Sequence, residues 1–139
     1  MYNKQPSLLL ACSGYCFLVP ACVAFTYGNV LTAVISGLLS VSSVWFHLHR
    51  TDVAFIIDQI MLYSVVVRGL FDGYAGGLPG ITIWLVIMSY NYIVWFSPVQ
   101  HHFAQNPIIQ IASRWHMTIH ILAIVGVSGQ QLFIEHPSS

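Results

Sequence analysis

Charge is what this sequence has least of. Four Lys and Arg and four Asp and Glu make up 6% of 139 residues and cancel to a formal net charge of zero, where a soluble domain carries about 25% charged residues. That scarcity excludes an ordinary soluble fold. Without a basic face the chain also has no electrostatic means of holding nucleic acid. Cysteine is scarce as well. Cys12, Cys16 and Cys22 all fall in the first apolar stretch, where they read as small buried apolar groups. No His or Cys partner follows at a finger spacing, so neither a disulfide framework nor a zinc finger is expected. Gly73, Gly76, Gly77, Pro79 and Gly80 have the wrong spacing for a phosphate-cradling loop and read as a flexible connection. The N-terminal stretch carries only Lys4, its apolar run exceeds a signal-peptide core, and it lacks a small-x-small cleavage site. It reads as a mature transmembrane helix.

What is there is apolar. Hydrophobic residues make up 57% of the chain and the mean hydropathy is +0.75, the composition of an integral membrane protein. At about 20 residues per crossing, the length admits five or six spans and leaves no room for a second domain. The expected fold is an all-α polytopic bundle forming one transmembrane domain over residues 1–139, with spans at about 8–27, 30–48, 53–71, 81–96 and 108–133. Pro20 should kink the first span and Gly28-Asn29 should turn the chain into the second. The second carries Ser36, Gly37, Ser40, Ser42 and Ser43, small residues that let another helix approach closely. Thr51 or Asp52 suits the N-cap of the third. Tyr90, Tyr92, Trp95 and Phe96 end the fourth, as side chains at headgroup level do. The fifth is the most polar, with Gln110, Ser113, Arg114, His116, Thr118 and His120 in its first half.

Five spans place the N-terminus, His49-Arg50 and His101-His102 on one side of the bilayer, and Gly28-Asn29, the glycine segment and the C-terminus on the other. Lys4, Arg50 and Arg114 against Arg68 then favour a cytosolic N-terminus by the positive-inside tendency. Arg68 and Asp72 are an i, i+4 pair at the far interface. His49, His101 and His102 read as solvated interfacial histidines.

Against that background four titratable residues stand out: His47, Asp58, His116 and His120. A central Asp costs roughly 2.5–3.5 kcal/mol on the insertion scale, so such groups inside spans read as a site. His47 lies about one turn before the hairpin between spans two and three and Asp58 about two turns after it, a depth difference of only some 5 Å. His116 and His120 are four residues apart, on one helix face, and span five enters from the same side. Three imidazoles suit zinc, and three protein ligands leave a fourth position for water, whose pKa the ion lowers towards about 7. The expected zinc site therefore joins His47, His116 and His120 between spans two, three and five. Asp58 would handle the proton. Ser43, one turn from His47, would steady that ligand or donate to a developing oxyanion.

Ser43 to His47, Asp58, and His116 to His120 together resemble the SxxxH, Asp and HxxxH signature of the CREST superfamily of seven-span membrane hydrolases. That superfamily includes the alkaline ceramidases and the progestin and adipoQ receptors. The eleven-residue gap from His47 to Asp58 looks most like the alkaline ceramidase branch. The resemblance implies zinc held by the three histidines, with Asp58 and Ser43 beside its water, and a membrane lipid amide such as ceramide as substrate, cleaved to a sphingoid base and a fatty acid. The chain departs from the family in two places. One span, not three, separates the Asp span from the HxxxH span, an odd number that preserves the side of entry. The acidic, calcium-binding N-terminal segment of alkaline ceramidases has no counterpart, since Met1 to Ser13 holds no Asp or Glu.

The expected function is thus a zinc-dependent intramembrane hydrolase of lipid amides in a shortened five-span form. The alternatives are a non-enzymatic receptor-like or structural membrane protein, whose polar residues bolt helices together, and a bis-histidine haem electron carrier. An absorption spectrum of the purified protein separates the last of these. The hydrolase reading expects no Soret band, and a Soret band would favour haem.

Overall fold

A computed structural model describes residues 7–103 and 106–134; Lys4, weighed above for sidedness, lies outside the described residues. Every regular element among them is helical: α1 (Leu8–Tyr15), α2 (Leu18–Thr26), α3 (Val30–His49), α4 (Asp52–Ala75), α5 (Gly77–Asn91), a π-helical turn (Tyr92–Phe96), a short 3-10 turn (Gln100–His102) and α6 (Ile109–Gln130). Four stretches are long and apolar enough to cross a bilayer: Leu8–Thr26, Val30–His49, Asp52–Ala75 and Gly77–Phe96. These fit a multi-pass integral membrane protein. The 22 residues of α6 reach about 33 Å at 1.5 Å per residue, but this helix is not one of those four. Its polar first half, which carries the histidines, lowers its hydropathy.

Apolar side chains cover the outside of the bundle, with Val41, Phe25, Val125 and Phe71 all more than half exposed. The three cysteines lie there too, free and exposed. This corrects the expectation that they are buried filler: the first span turns their side of the helix outward. The kink expected at Pro20 is a break three residues earlier. Proline has no N–H to give the Cys16 carbonyl, which instead accepts from Val19 N at 3.0 Å, and the helix restarts at Leu18.

The inward stripe of α3 is polar. Thr32, Ser36, Ser40, Ser43 and His47 recur at helical spacing and are all buried. Ser40 donates to the Tyr15 carbonyl at 3.2 Å. A Cβ at Gly14 would come within 2.8 Å of Ser43 Oγ, so α1 lies against α3 with only a glycine between them. Gly37 plays no such part: nothing stands within 4 Å of where its Cβ would be. Arg50 ends α3 in the left-handed region at φ 53°, its N–H bonded to Phe46 O. Thr51 then caps α4 by accepting from Ala54 N at 3.2 Å.

The glycine segment is a close helix crossing rather than a flexible link, which corrects the sequence reading. Gly73 belongs to α4 and Gly80 to α5, with only Gly76 between the two helices. A Cβ at Gly80 would lie 2.6 Å from the Gly73 carbonyl oxygen, so the backbones touch where side chains would stand. From α6, the buried Gln130 donates to Gly69 O at 2.9 Å and Gly80 O at 3.1 Å, tying three helices at one point.

Arg68 and Asp72 also prove to be more than an interfacial pair. Asp72 is 1% exposed and meets Arg68 Nη2 at 2.6 Å. Its carboxylate also accepts from Thr32 Oγ1 at 2.6 Å, Asn29 Nδ2 at 3.1 Å and Gln131 Nε2 at 3.3 Å. Arg68 reaches Thr32 Oγ1 and Asn29 Oδ1 at 2.9 and 3.1 Å. This network clamps the start of α3, the end of α4 and the residue after α6. The end of α6 therefore shares one end of the bundle with Gly28-Asn29 and Gly76.

Two expectations follow. Gly80→Ala should lower stability by about 1–3 kcal/mol through overpacking, whereas Gly37→Ala should raise it by roughly 0.5–1 kcal/mol, both read from unfolding in mixed micelles. Asp72→Ala, which removes the buried carboxylate that Thr32, Asn29 and Gln131 bond and leaves the part-exposed Arg68 without its ion-pair partner, should cost about 1–3 kcal/mol in the same measurement.

Candidate metal centre

At the other end of the bundle the three histidines converge. His47 comes from the last turn of α3, and its carbonyl, one of the four that a helix C-terminus leaves without an intrahelical partner, accepts from Ser7 N at 3.0 Å. His116 and His120 sit one turn apart on α6. Ring centroids are 5.2 Å apart for His47 and His116, 5.5 Å for His47 and His120, and 4.8 Å for His116 and His120. One ligand nitrogen from each lies within 4.8 Å of the other two. His47 and His120 are buried and His116 is half-buried.

Donor chemistry tests whether the group suits a metal. Among the described residues neither Nδ1 nor Nε2 of His47 has a hydrogen-bond partner, although both are buried. Ser128 Oγ and Gln130 Oε1 are also unpartnered, but Gln130 is satisfied through its other end, whereas His47 is unsatisfied at both. An imidazole with two orphaned nitrogens, facing two more imidazoles in an apolar bundle, is a donor set that fits a borderline-soft cation such as zinc. About 2.0–2.1 Å from an ion to each nitrogen puts the nitrogens roughly 3.4 Å apart.

The remaining predicted residues are arranged differently. Asp58 is buried on α4, and its Oδ1 accepts from Ser42 Oγ at 3.2 Å. No direct hydrogen bond joins Asp58 to the histidines among the described residues. Ser43 is buried against Gly14. Among the described residues it makes no hydrogen bond to His47, whose nitrogens are both unpartnered.

Sequence reasoning missed several residues at the site. Ser42, the neighbour of the predicted serine, is the one that meets Asp58. Ser13 Oγ lies 2.9 Å from His120 Nδ1, and Phe17 stands edge-on to His120 with centroids 5.2 Å apart. Trp95, read as a headgroup anchor, packs on His116 at 5.0 Å from the π-helical turn, a distortion that recurs at functional sites. The proline break in the first span was a legible hint that α1 is shaped for packing. Nothing in the spacing of Ser13, Phe17 or Trp95 tied them to the histidines. His49, His101 and His102 are exposed, as expected for interfacial residues.

A groove of about 600 Å³ lies between α3 and α4, lined by Leu31, Ile35, Tyr63, Val67, Arg68 and Phe71 among others. It is remote from the histidines: Ile35 and His47 are separated by roughly 18 Å along α3. It belongs to the clamped end.

No protein-family model, curated protein or solved structure matches the chain. What can be said of the site therefore comes from its own residues and from the motif they form.

Proposed function

We propose that this chain is a zinc-dependent intramembrane hydrolase of lipid amide bonds, similar to the alkaline ceramidases, with α6 as a fifth span. The observation that carries this reading is the convergence of His47, His116 and His120, with one nitrogen of each within 4.8 Å of the others and both His47 nitrogens unpartnered among the described residues. The SxxxH, Asp and HxxxH resemblance supplies the reaction class.

In this reading His47, His116 and His120 hold the ion. Zinc in a three-histidine site supplies a Lewis acid and lowers the pKa of bound water. Asp58, on α4 about two turns past the turn that follows His47 and hydrogen-bonded to Ser42, would take a proton from water and pass it to the departing amine. Ser42 limits the directions the carboxylate can face. Trp95 and Phe17 wall the site with apolar surface, which excludes bulk water and suits a lipid chain. The amide would enter laterally from the membrane, since the flanking surface is apolar and a charged headgroup need not cross it. Ceramide, a neutral amide with two long chains, fits that entry.

A second reading has an observation of its own. The Asp72 network shows that buried polar residues in this bundle do serve to bolt helices, and the Ser42–Asp58 bond joins α3 to α4 in the same way. A receptor-like or structural protein would need no more than that. It does not account for the orphaned nitrogens of His47. Haem ligation is weaker still, because a third imidazole stands beside each pair of rings, where a macrocycle between the pair would have to lie.

Metal quantification and ceramide turnover in purified, detergent-solubilised protein test the proposal together. Near one zinc per chain is expected, and alanine at His47, His116 or His120 should remove both zinc and activity. Asp58→Asn should keep the zinc and reduce turnover by about 10²–10⁴-fold. Wild-type protein without zinc would favour the structural reading, and full activity in Asp58→Asn would sink the role given to Asp58.

A further inference from the structure

Ser13 lies on α1, far in sequence from any motif residue, and is 7% exposed. Its hydroxyl oxygen has two close polar neighbours, the Leu10 carbonyl oxygen at 2.9 Å and His120 Nδ1 at 2.9 Å. A serine hydroxyl has one proton and two lone pairs, and a carbonyl oxygen can only accept. With the serine proton given to Leu10 O, a lone pair faces His120, so Nδ1 must carry the proton there. A neutral imidazole has one N–H, which leaves Nε2 as a bare lone pair on the other side of the ring.

That arrangement matters because a histidine ligand's tautomer and ring orientation are set by the bond its second nitrogen makes. We propose that Ser13 is a positioning residue: its bond to Nδ1 holds His120 in the tautomer that presents Nε2 to His47 and His116. The inference rests on the metal reading above and adds to it a residue outside the SxxxH, Asp and HxxxH set. Phe17, four residues on and edge-on to the same ring, restrains its rotation. The first span thereby becomes part of the site although it contributes no ligand. Close approach of α1 at Gly14 and the bond from Ser7 N to the His47 carbonyl hold Ser13 at the required depth.

The opposite hydroxyl orientation, with Ser13 donating to Nδ1, would put the proton on Nε2 and point it into the cluster. Nitrogen-15 NMR of histidine-labelled, metal-free protein in micelles distinguishes the two, with the His120 signal assigned by its loss in His120→Gln. The Nδ1–H tautomer is expected in wild-type protein, and the Nε2–H tautomer would overturn the proposal. Zinc affinity, read by competition with a chromophoric chelator, gives the second arm. Ser13→Ala should bind zinc about 10–100-fold more weakly, and Ser13→Thr, which keeps the hydroxyl, should restore most of the loss. The thermal midpoint of the metal-free protein separates this from a packing defect. Weaker zinc binding with an unchanged midpoint supports positioning, and wild-type zinc affinity in Ser13→Ala refutes it. If wild-type protein binds no zinc, the metal reading fails, while the tautomer measurement still decides what Ser13 does.

Discussion

A polar side chain turned inward in an apolar bundle has no water to bond and must find its partner on another helix. The two ends of this molecule answer that demand in opposite ways. At one end Asn29, Thr32, Arg68, Asp72 and Gln131 form a closed network in which Asp72 alone has four partners. At the other, His47 is buried with neither ring nitrogen bonded among the described residues. A bundle able to satisfy a buried carboxylate so fully has left an imidazole open where two others face it. That contrast, more than the presence of histidine, is what supports the metal reading proposed for the second end.

The closed end also sets the geometry of the open one. Gln130 and Gln131 lock the end of α6 to α4 and α5 through Gly69, Gly80 and Asp72, about ten residues from His120. A slip of one residue along α6 would move both histidines by about 1.5 Å and turn them by roughly 100°, taking them off His47. The glycines at 73 and 80 serve the same end, since only backbone contact brings α5 close enough for the Gln130 amide to bridge both helices. Arg50 plays the corresponding part for α3 and α4. Its left-handed conformation ends one helix just after His47 and lets Thr51 open the next, so the turn is short and Asp58 lies only about two turns into the helix that follows.

Much of this was legible in the sequence. The scarcity of charge and the apolar runs implied a helical membrane protein, and Pro20, Asn29 and Thr51 marked where helices break or begin. The i, i+4 spacing placed His116 and His120 on one face, and hairpin arithmetic put His47 at their depth. The glycine segment misled, because glycine reads equally as a flexible loop or as a surface for close packing. The choice depends on what lies opposite, here Gly73 against Gly80 and Gln130 across both. The cysteines misled for a related reason: an apolar residue in a span faces either lipid or protein, and composition cannot tell which.

The sequence by itself determined the class of protein and the residues able to carry chemistry, because hydropathy and helical periodicity are local properties of the chain. Tertiary structure alone decided which of their neighbours matter. Ser42 meets Asp58 while Ser43 packs on Gly14, a distinction of 100° of helix rotation. Ser13 and Trp95 reach the histidines from helices far away in sequence. Arg68 and Asp72 pass from a surface pair to the centre of a clamp only when Asn29, Thr32 and Gln131 close around them. Each of these depends on how helices rotate and slide against one another, and those are the degrees of freedom that packing settles.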